Sequence, residues 1–210
     1  QTLLVFQFTN LKAEVVKPTF VKTFSLDGEV RDQSDVDLSP DGTKIFFSEF
    51  RNGTAGTRQM RQYTLTTPFD ISTLDPSSKV GFDLSGGADS IGADDTNDGV
   101  QGFSFNNNGT KVLAVSTRRK MNVHTLATPY DFSSVTRDDD DGISWANHLS
   151  PVTAGGAIEM RDIEFNNDGT KMFFVDAWSD ESIITYNLST PYLPSSATLG
   201  PEFDLGNPNG

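Results

Sequence analysis

Three segments of the chain repeat one pattern, and such repetition restricts the fold more than any other feature. The first is Val36-Asp37-Leu38-Ser39-Pro40-Asp41-Gly42-Thr43-Lys44-Ile45-Phe46-Phe47. The second runs from Phe103 to Ala114 around Asn108-Gly109-Thr110-Lys111, and the third from Ile163 to Phe174 around Asp168-Gly169-Thr170-Lys171. Each has an alternating apolar/polar run, an Asp/Asn-Gly turn and a more continuously apolar run. Asp-Gly or Asn-Gly between such runs signals a hairpin, because glycine takes positive φ without a steric penalty. A strand that is apolar on both faces is one covered on both faces.

A second module follows each hairpin: Tyr63-Thr64-Leu65-Thr66-Thr67-Pro68-Phe69-Asp70, then His124 to Asp131, then Tyr186 to Leu193. The Thr-Pro step ends a third strand, since proline cannot continue a ladder. A fourth strand is expected at Val80–Leu84, at Ile143–Asn147 and at Glu202–Leu205. The turn glycines Gly42, Gly109 and Gly169 lie 67 and 60 residues apart, so a unit holds about 60 residues in four short strands. Phe6–Asn10 and Phe24–Leu26 read as the third and fourth strands of a half unit. No window has sustained helical periodicity, so no helix longer than a turn is predicted.

A four-stranded antiparallel blade cannot bury its apolar faces alone, and packing blades around an axis solves this. The predicted fold is therefore all-β: a β-propeller-type repeat of three four-stranded antiparallel blades plus an N-terminal half blade. The units are residues 1–30 (half blade), 31–86, 87–150 and 151–210, forming one domain together. Closed propellers generally carry four to eight blades. The chain is thus expected to be a homo-oligomer or part of a longer chain. It opens on Gln1 without a leader pattern, which reads as a processed chain or a fragment.

These motifs resemble tandem repeats in proteins of marine bacteria and their phages. Those repeats have the form aromatic-x-x-Asp-Gly-Thr-Lys-Met-Phe-Val, then Tyr-x-Leu-Ser-Thr-Pro-Tyr/Trp-Asp. More distantly, Ser39 to Lys44 looks like the Ser-Pro-Asp-Gly-Lys turn of other propeller families. The resemblance spans nearly the whole chain. It implies an extracellular, cell-surface or virion-associated protein that binds or builds. The second unit departs from it, with Asn108 for Asp and His124 for Tyr.

Composition narrows the functions. With 29 acidic against 16 basic side chains the net charge is −13, which disfavours nucleic acid and anionic membranes as partners. The absence of cysteine excludes disulfides, thiol catalysis and Cys-based zinc sites. Apolar runs of about four residues fall far short of the about 20 that a spanning helix needs.

Asp41, Asn108 and Asp168 would suit a repeated calcium or sugar site, but each with its glycine also completes a turn in which the Asx side chain bonds the backbone two residues on. The turn reading is adopted. The acidic stretches Asp89–Asp98 and Asp138–Asp141 are the places for a Ca²⁺ site, yet neither has the spacing of a calcium loop. No other cofactor is implied. His124 replaces a strand tyrosine, His148 lacks a surrounding signature, and no nucleophile elbow, metalloprotease or phosphate-loop motif occurs. An enzyme is not expected.

The repeats diverge between the second and third strands and between blades, while the Asx-Gly turns are nearly constant. Variable loops on a constant scaffold are where binding residues are carried. Arg58, Arg61, Arg118, Arg119 and Trp178 gather there, suited to a glycan or carboxylate partner. The expected function is a non-catalytic module recognising a glycan or cell-surface receptor, as part of a phage fibre or bacterial surface protein. The alternatives are a structural fibre or coat subunit and a polysaccharide hydrolase.

Overall fold

The computed structural model describes residues 2–7, 19–25, 33–49, 59–84, 99–116, 120–137, 143–144, 160–176 and 182–204. The first blade is β3 (Gln33–Leu38), β4 (Lys44–Glu49), β5 (Gln59–Leu65) and β6 (Leu74–Asp83), paired antiparallel in chain order. The third is β12 (Met160–Phe165), β13 (Lys171–Asp176), β14 (Ser182–Leu188) and β15 (Ala197–Asp204), with the same order. In the middle blade β7 (Val100–Phe105), β8 (Lys111–Ser116) and β9 (Lys120–Leu126) are followed by two short strands, β10 (Val135–Arg137) and β11 (Ile143–Ser144). Both of these pair with β9 and together fill the fourth place. Strands β1 (Thr2–Gln7) and β2 (Thr19–Ser25) form a separate two-stranded antiparallel sheet.

The turns behave as their chemistry dictates. Asp41 Oδ1 accepts from the Thr43 amide at 3.0 Å and from the Thr43 and Ser39 hydroxyls at 2.8 and 2.6 Å. Asn108 and Asp168 accept the equivalent amides of Thr110 and Thr170 at 3.2 and 3.0 Å. Asp168→Asn is therefore expected to change unfolding free energy by less than about 0.5 kcal/mol in urea titration, because Asn108 already makes the same bonds in the middle blade.

The Thr-Pro module does more than end a strand. Phe69, Tyr130 and Tyr192, the residues after each proline, adopt φ of 60°, 54° and 56°, a left-handed conformation uncommon for aromatic residues. Each donates its backbone N–H to the carbonyl of the turn glycine, at 2.9, 2.9 and 3.0 Å. The ring then lies over that glycine, so closely that a Cβ on Gly109 would stand 2.2 Å from the Tyr130 ring. The two turns of a blade are thereby welded at one end of it.

Fourth strands begin earlier than the sequence suggests. β6 starts at Leu74 rather than Val80, and in the middle blade the fourth place opens at Val135 rather than Ile143. A single 3₁₀ turn, at Ile71–Thr73 and Phe132–Ser134, follows the proline turn and feeds the chain directly into pairing. Asp70 and Asp131 cap these turns by accepting from Ser72 N and Ser133 N. At the N-terminus Phe6 pairs with Phe20 and Leu3 with Phe24, so the strands lie a few residues ahead of the expected Phe6–Asn10 and Phe24–Leu26.

Blades stack through their apolar faces. Phe46, Met60 and Leu84 of the first blade pack with Phe103, Val112 and Phe132 of the second. Leu113, Val115 and Val123 on the other face of the second pack with Met172, Phe174 and Tyr186 of the third.

Candidate functional site

The first strands of the three blades lie side by side, with β7 in contact with both β3 and β12. Each carries a bulge at the same place, between Gln33 and Asp35, Val100 and Gly102, and Met160 and Asp162. A bulge bends a strand and re-aims the side chain beside it. Here it turns the first strands toward one another. Asp35 reaches the second blade, where its Oδ2 accepts from Phe103 N at 3.0 Å, while the Ser34 hydroxyl donates to Val100 O at 2.5 Å. Gly102 leaves the room that the third blade takes. A Cβ there would lie 2.6 Å from both Asp162 Cα and Asp162 Oδ1.

Two residues further along these strands, Asp37, Ser104 and Glu164 occupy one equivalent position in the three blades and line one groove of about 240 Å³. Ser104 Oγ donates to Glu164 Oε2 at 3.2 Å. The aromatic walls are Phe105 and Phe165, each met by a tyrosine. Tyr130 lies 5.1 Å from Phe105, and Tyr192 lies 5.3 Å from Phe165, between ring centroids. Exposed Asn107 and Asn167 complete the rim, and their carbonyls accept from Tyr130 and Tyr192 at 3.4 and 2.9 Å. Lys44 ties the first two blades beside this rim, donating to Tyr130 O at 2.9 Å and pairing with Asp131 at 3.4 Å.

The electrostatics of the first strands are uniform. Burial pushes the carboxyl of Asp35 up to about 6, helped by the charges of Asp162 and Asp37 and opposed by the Phe103 and Val36 N–H groups. Asp37, Asp162 and Glu164 are raised as well, chiefly by loss of solvation; Glu164 also senses the charges of Asp162 and Asp37. Burial, then the Asp37 charge, raises the Tyr130 phenol. No lysine or arginine lines the groove among the described residues.

The sequence pointed to the opposite end of the blades. Of its candidates there, Arg61 lies within β5, half-buried, opposite Phe47 on β4 and Gly81 on β6. Arg58, Arg118, Arg119 and Trp178 lie outside the described residues, as do His148 and the acidic stretches Asp89–Asp98 and Asp138–Asp141. Among the described residues no three carboxylate or imidazole groups converge to hold a metal ion. His124 is buried in β9 with its ring 5.0 Å from Phe82, edge to face, as a packed strand residue. Turn residues Asp41, Gly42, Asn108, Gly109, Asp168 and Gly169 are engaged in turn geometry. What the sequence reading missed is the groove beside those turns. Its signals were the aromatic residue after each proline and the polar residue before each first-strand aromatic or leucine.

No protein-family model matches the chain. No curated protein matches it. Among solved structures, a candidate 6-phosphogluconolactonase from Bacteroides fragilis aligns with 98% of this chain and 52% of its own, at 11% identity and a TM-score of 0.51. The propeller-type fold holds for this chain. The β-propeller domain of Cps50 (Swd1) from Myceliophteria thermophila aligns over 80% of this chain and 44% of its own, at 14% identity and a TM-score of 0.47. The chain thus spans about half the length of the structures it resembles. At these identities the likeness concerns the fold alone.

Proposed function

We propose that the chain is a non-catalytic recognition module that holds a glycan segment in the groove between its first strands. The observation that carries this reading is the convergence of Asp37, Ser104 and Glu164, one from each blade, between aromatic walls and exposed amides. Carboxylates and amides hydrogen-bond sugar hydroxyls, and aromatic faces cover the apolar side of a sugar ring. The volume lies just below the usual ligand-pocket range of about 300–1,000 Å³, which suits a single ring of a longer chain. With two carboxylates and no cationic lining, the groove favours neutral or amino sugars over uronic and sialic acids.

In this reading the protein works outside the cell, on a bacterial surface or a phage fibre, where its partner is a glycan or glycosylated receptor. The variable loops bearing Arg58, Arg118, Arg119 and Trp178, with Arg61 on the adjoining strand β5, are a second contact surface for the same partner. Ca²⁺ is a proposal only for the acidic loops.

Glycan-array binding followed by calorimetry on the best ligand tests the proposal. Tyr192→Ala and Glu164→Gln are each expected to weaken binding at least tenfold, about 1.4 kcal/mol. If both bind as wild type while Arg118→Ala or Trp178→Ala abolishes binding, the site is on the loops instead. Polysaccharide turnover lost in Glu164→Gln would replace recognition by hydrolysis, since paired carboxylates are the equipment of glycosidases.

A further inference from the structure

The carboxylates of this chain fall into two kinds by what meets them. At the turns and caps they are matched by donors: Asp41 by Ser39 and Thr43, and Asp131 by Ser133 and the Lys44 ammonium. Along the first strands the matching is poor. Asp37 accepts the amide of its neighbour Leu38 at 2.7 Å, and Glu164 accepts the Ser104 hydroxyl at 3.2 Å. Asp35 and Asp162 stand on the same strands. Burial is the main cause that raises all four carboxyls, and the charges of Asp162 and Asp37 act on both Asp35 and Glu164. Among the described residues no lysine or arginine offsets any of the four. Lys44, beside the rim, is committed to Tyr130 O and Asp131.

This arrangement costs stability in the free protein, because like charges repel and half-buried carboxylates give up hydration without a counter-charge. A ligand that fills the groove strips more water from Asp37 and Glu164. Sugar hydroxyls return hydrogen bonds but no charge, whereas a cation offsets both the lost hydration and the mutual repulsion. The walls favour a cation too. Phe105 with Tyr130 and Phe165 with Tyr192 line the same groove, and aromatic faces attract a cation more strongly where water is displaced.

We propose that the sugar held in this groove carries a free ammonium group, seated between Asp37 and Glu164 and against the two aromatic pairs. The inference rests on the glycan reading of the groove and narrows it to hexosamine units whose amine is not acetylated. A metal ion is a poorer candidate for the cation, since no three carboxylate or imidazole groups converge among the described residues. A lysine side chain would bring the same charge. It has no hydroxyls, however, for the exposed amide side chains of Asn107 and Asn167 at the rim.

Calorimetry at neutral pH and fixed ionic strength tests this with the β-1,4-linked glucosamine tetramer, its fully N-acetylated form, cellotetraose and tetralysine. The three sugars share length and linkage and differ in the group at the second carbon. The glucosamine tetramer is expected to bind about tenfold tighter than any of the others, and Asp37→Asn and Glu164→Gln are each expected to remove most of that margin. The two neutral tetramers should respond little to either substitution. A chain of net charge −13 attracts any polycation, but losing one of 29 acidic groups barely alters that general attraction. An amine preference indifferent to both substitutions therefore overturns the inference. Neutral tetramers that bind as tightly as the amine form, and are weakened by Tyr192→Ala, overturn it while leaving the glycan reading intact. Tetralysine binding as tightly, with the same dependence on Glu164, assigns the groove to basic peptides and overturns both. A glucosamine tetramer that does not bind also overturns the inference, and the glycan array then decides the broader reading.

Discussion

Gly102→Ala is expected to destabilise the chain by about 2–4 kcal/mol, read as a fall in the urea midpoint with unchanged slope. The reason is a backbone collision rather than a conformational preference. The added methyl group would lie 2.6 Å from Asp162 Cα and 3.0 Å from Arg161 O, both on the first strand of the next blade. Side chains can rotate away, but β12 cannot retreat without opening the packing of Leu113 and Val115 against Ile163 and Met172. It would also strain the Ser104–Glu164 hydrogen bond in the groove. Gly200→Ala provides the control. There the added atom meets Thr185 O at 3.0 Å and the Asn187 amide at 3.1 Å, within one blade and beside a flexible side chain. It is expected to cost less than about 1 kcal/mol. Equal effects from the two substitutions would show that β7 and β12 are not pressed together as described.

That contrast also marks what could be read from the sequence. The Asp/Asn-Gly-Thr-Lys turns, the strands around them and the break at each proline depend on neighbours within a few residues, so local chemistry announced them. The repeat distance then gave the blades. Gly102 was opaque for the opposite reason. It occupies the position of Asp35 and Asp162, and its meaning lies in what another blade places beside it. The bulges were invisible too, because a one-residue shift in pairing leaves the apolar alternation nearly unchanged. The groove followed from them: Asp37 and Glu164 read as ordinary outward-facing strand residues until the first strands are set side by side. The constancy of the turn end favoured a scaffold reading there and drew attention to the variable loops, whereas the groove lined by Asp37, Ser104 and Glu164 lies beside the constant turns.

Stability is expected to fall as pH rises from about 4 to about 7, and Asp35 is expected to account for the largest single share. Its carboxyl titrates near 6 in the folded chain against an ordinary 3.8. Between those values the folded state holds a proton that the unfolded state has released, so raising the pH favours unfolding. The contribution is complete below about pH 4 and gone above about pH 7, and it amounts to roughly 2–3 kcal/mol. Asp37, Asp162 and Glu164 act in the same direction, since each is raised by burial. The turn and cap carboxylates oppose them at the acid end. Asp41 is held down at about 2 by the Ser39 and Thr43 groups that donate to it, and Asp168 and Asp131 are also lowered. Their support is present above pH 4 and fades as pH falls toward 2, so the optimum lies near pH 4. Urea unfolding at fixed ionic strength in half-unit steps from pH 3 to pH 8 tests this, with Asp35→Asn measured alongside. Subtracting the two curves isolates the share of Asp35. The variant should lose most of the slope between pH 4 and pH 7, whatever its absolute stability, because the slope depends on a proton that asparagine cannot exchange. A variant curve parallel to wild type across that window would mean that Asp35 is ionised normally and that the first strands do not bury its charge.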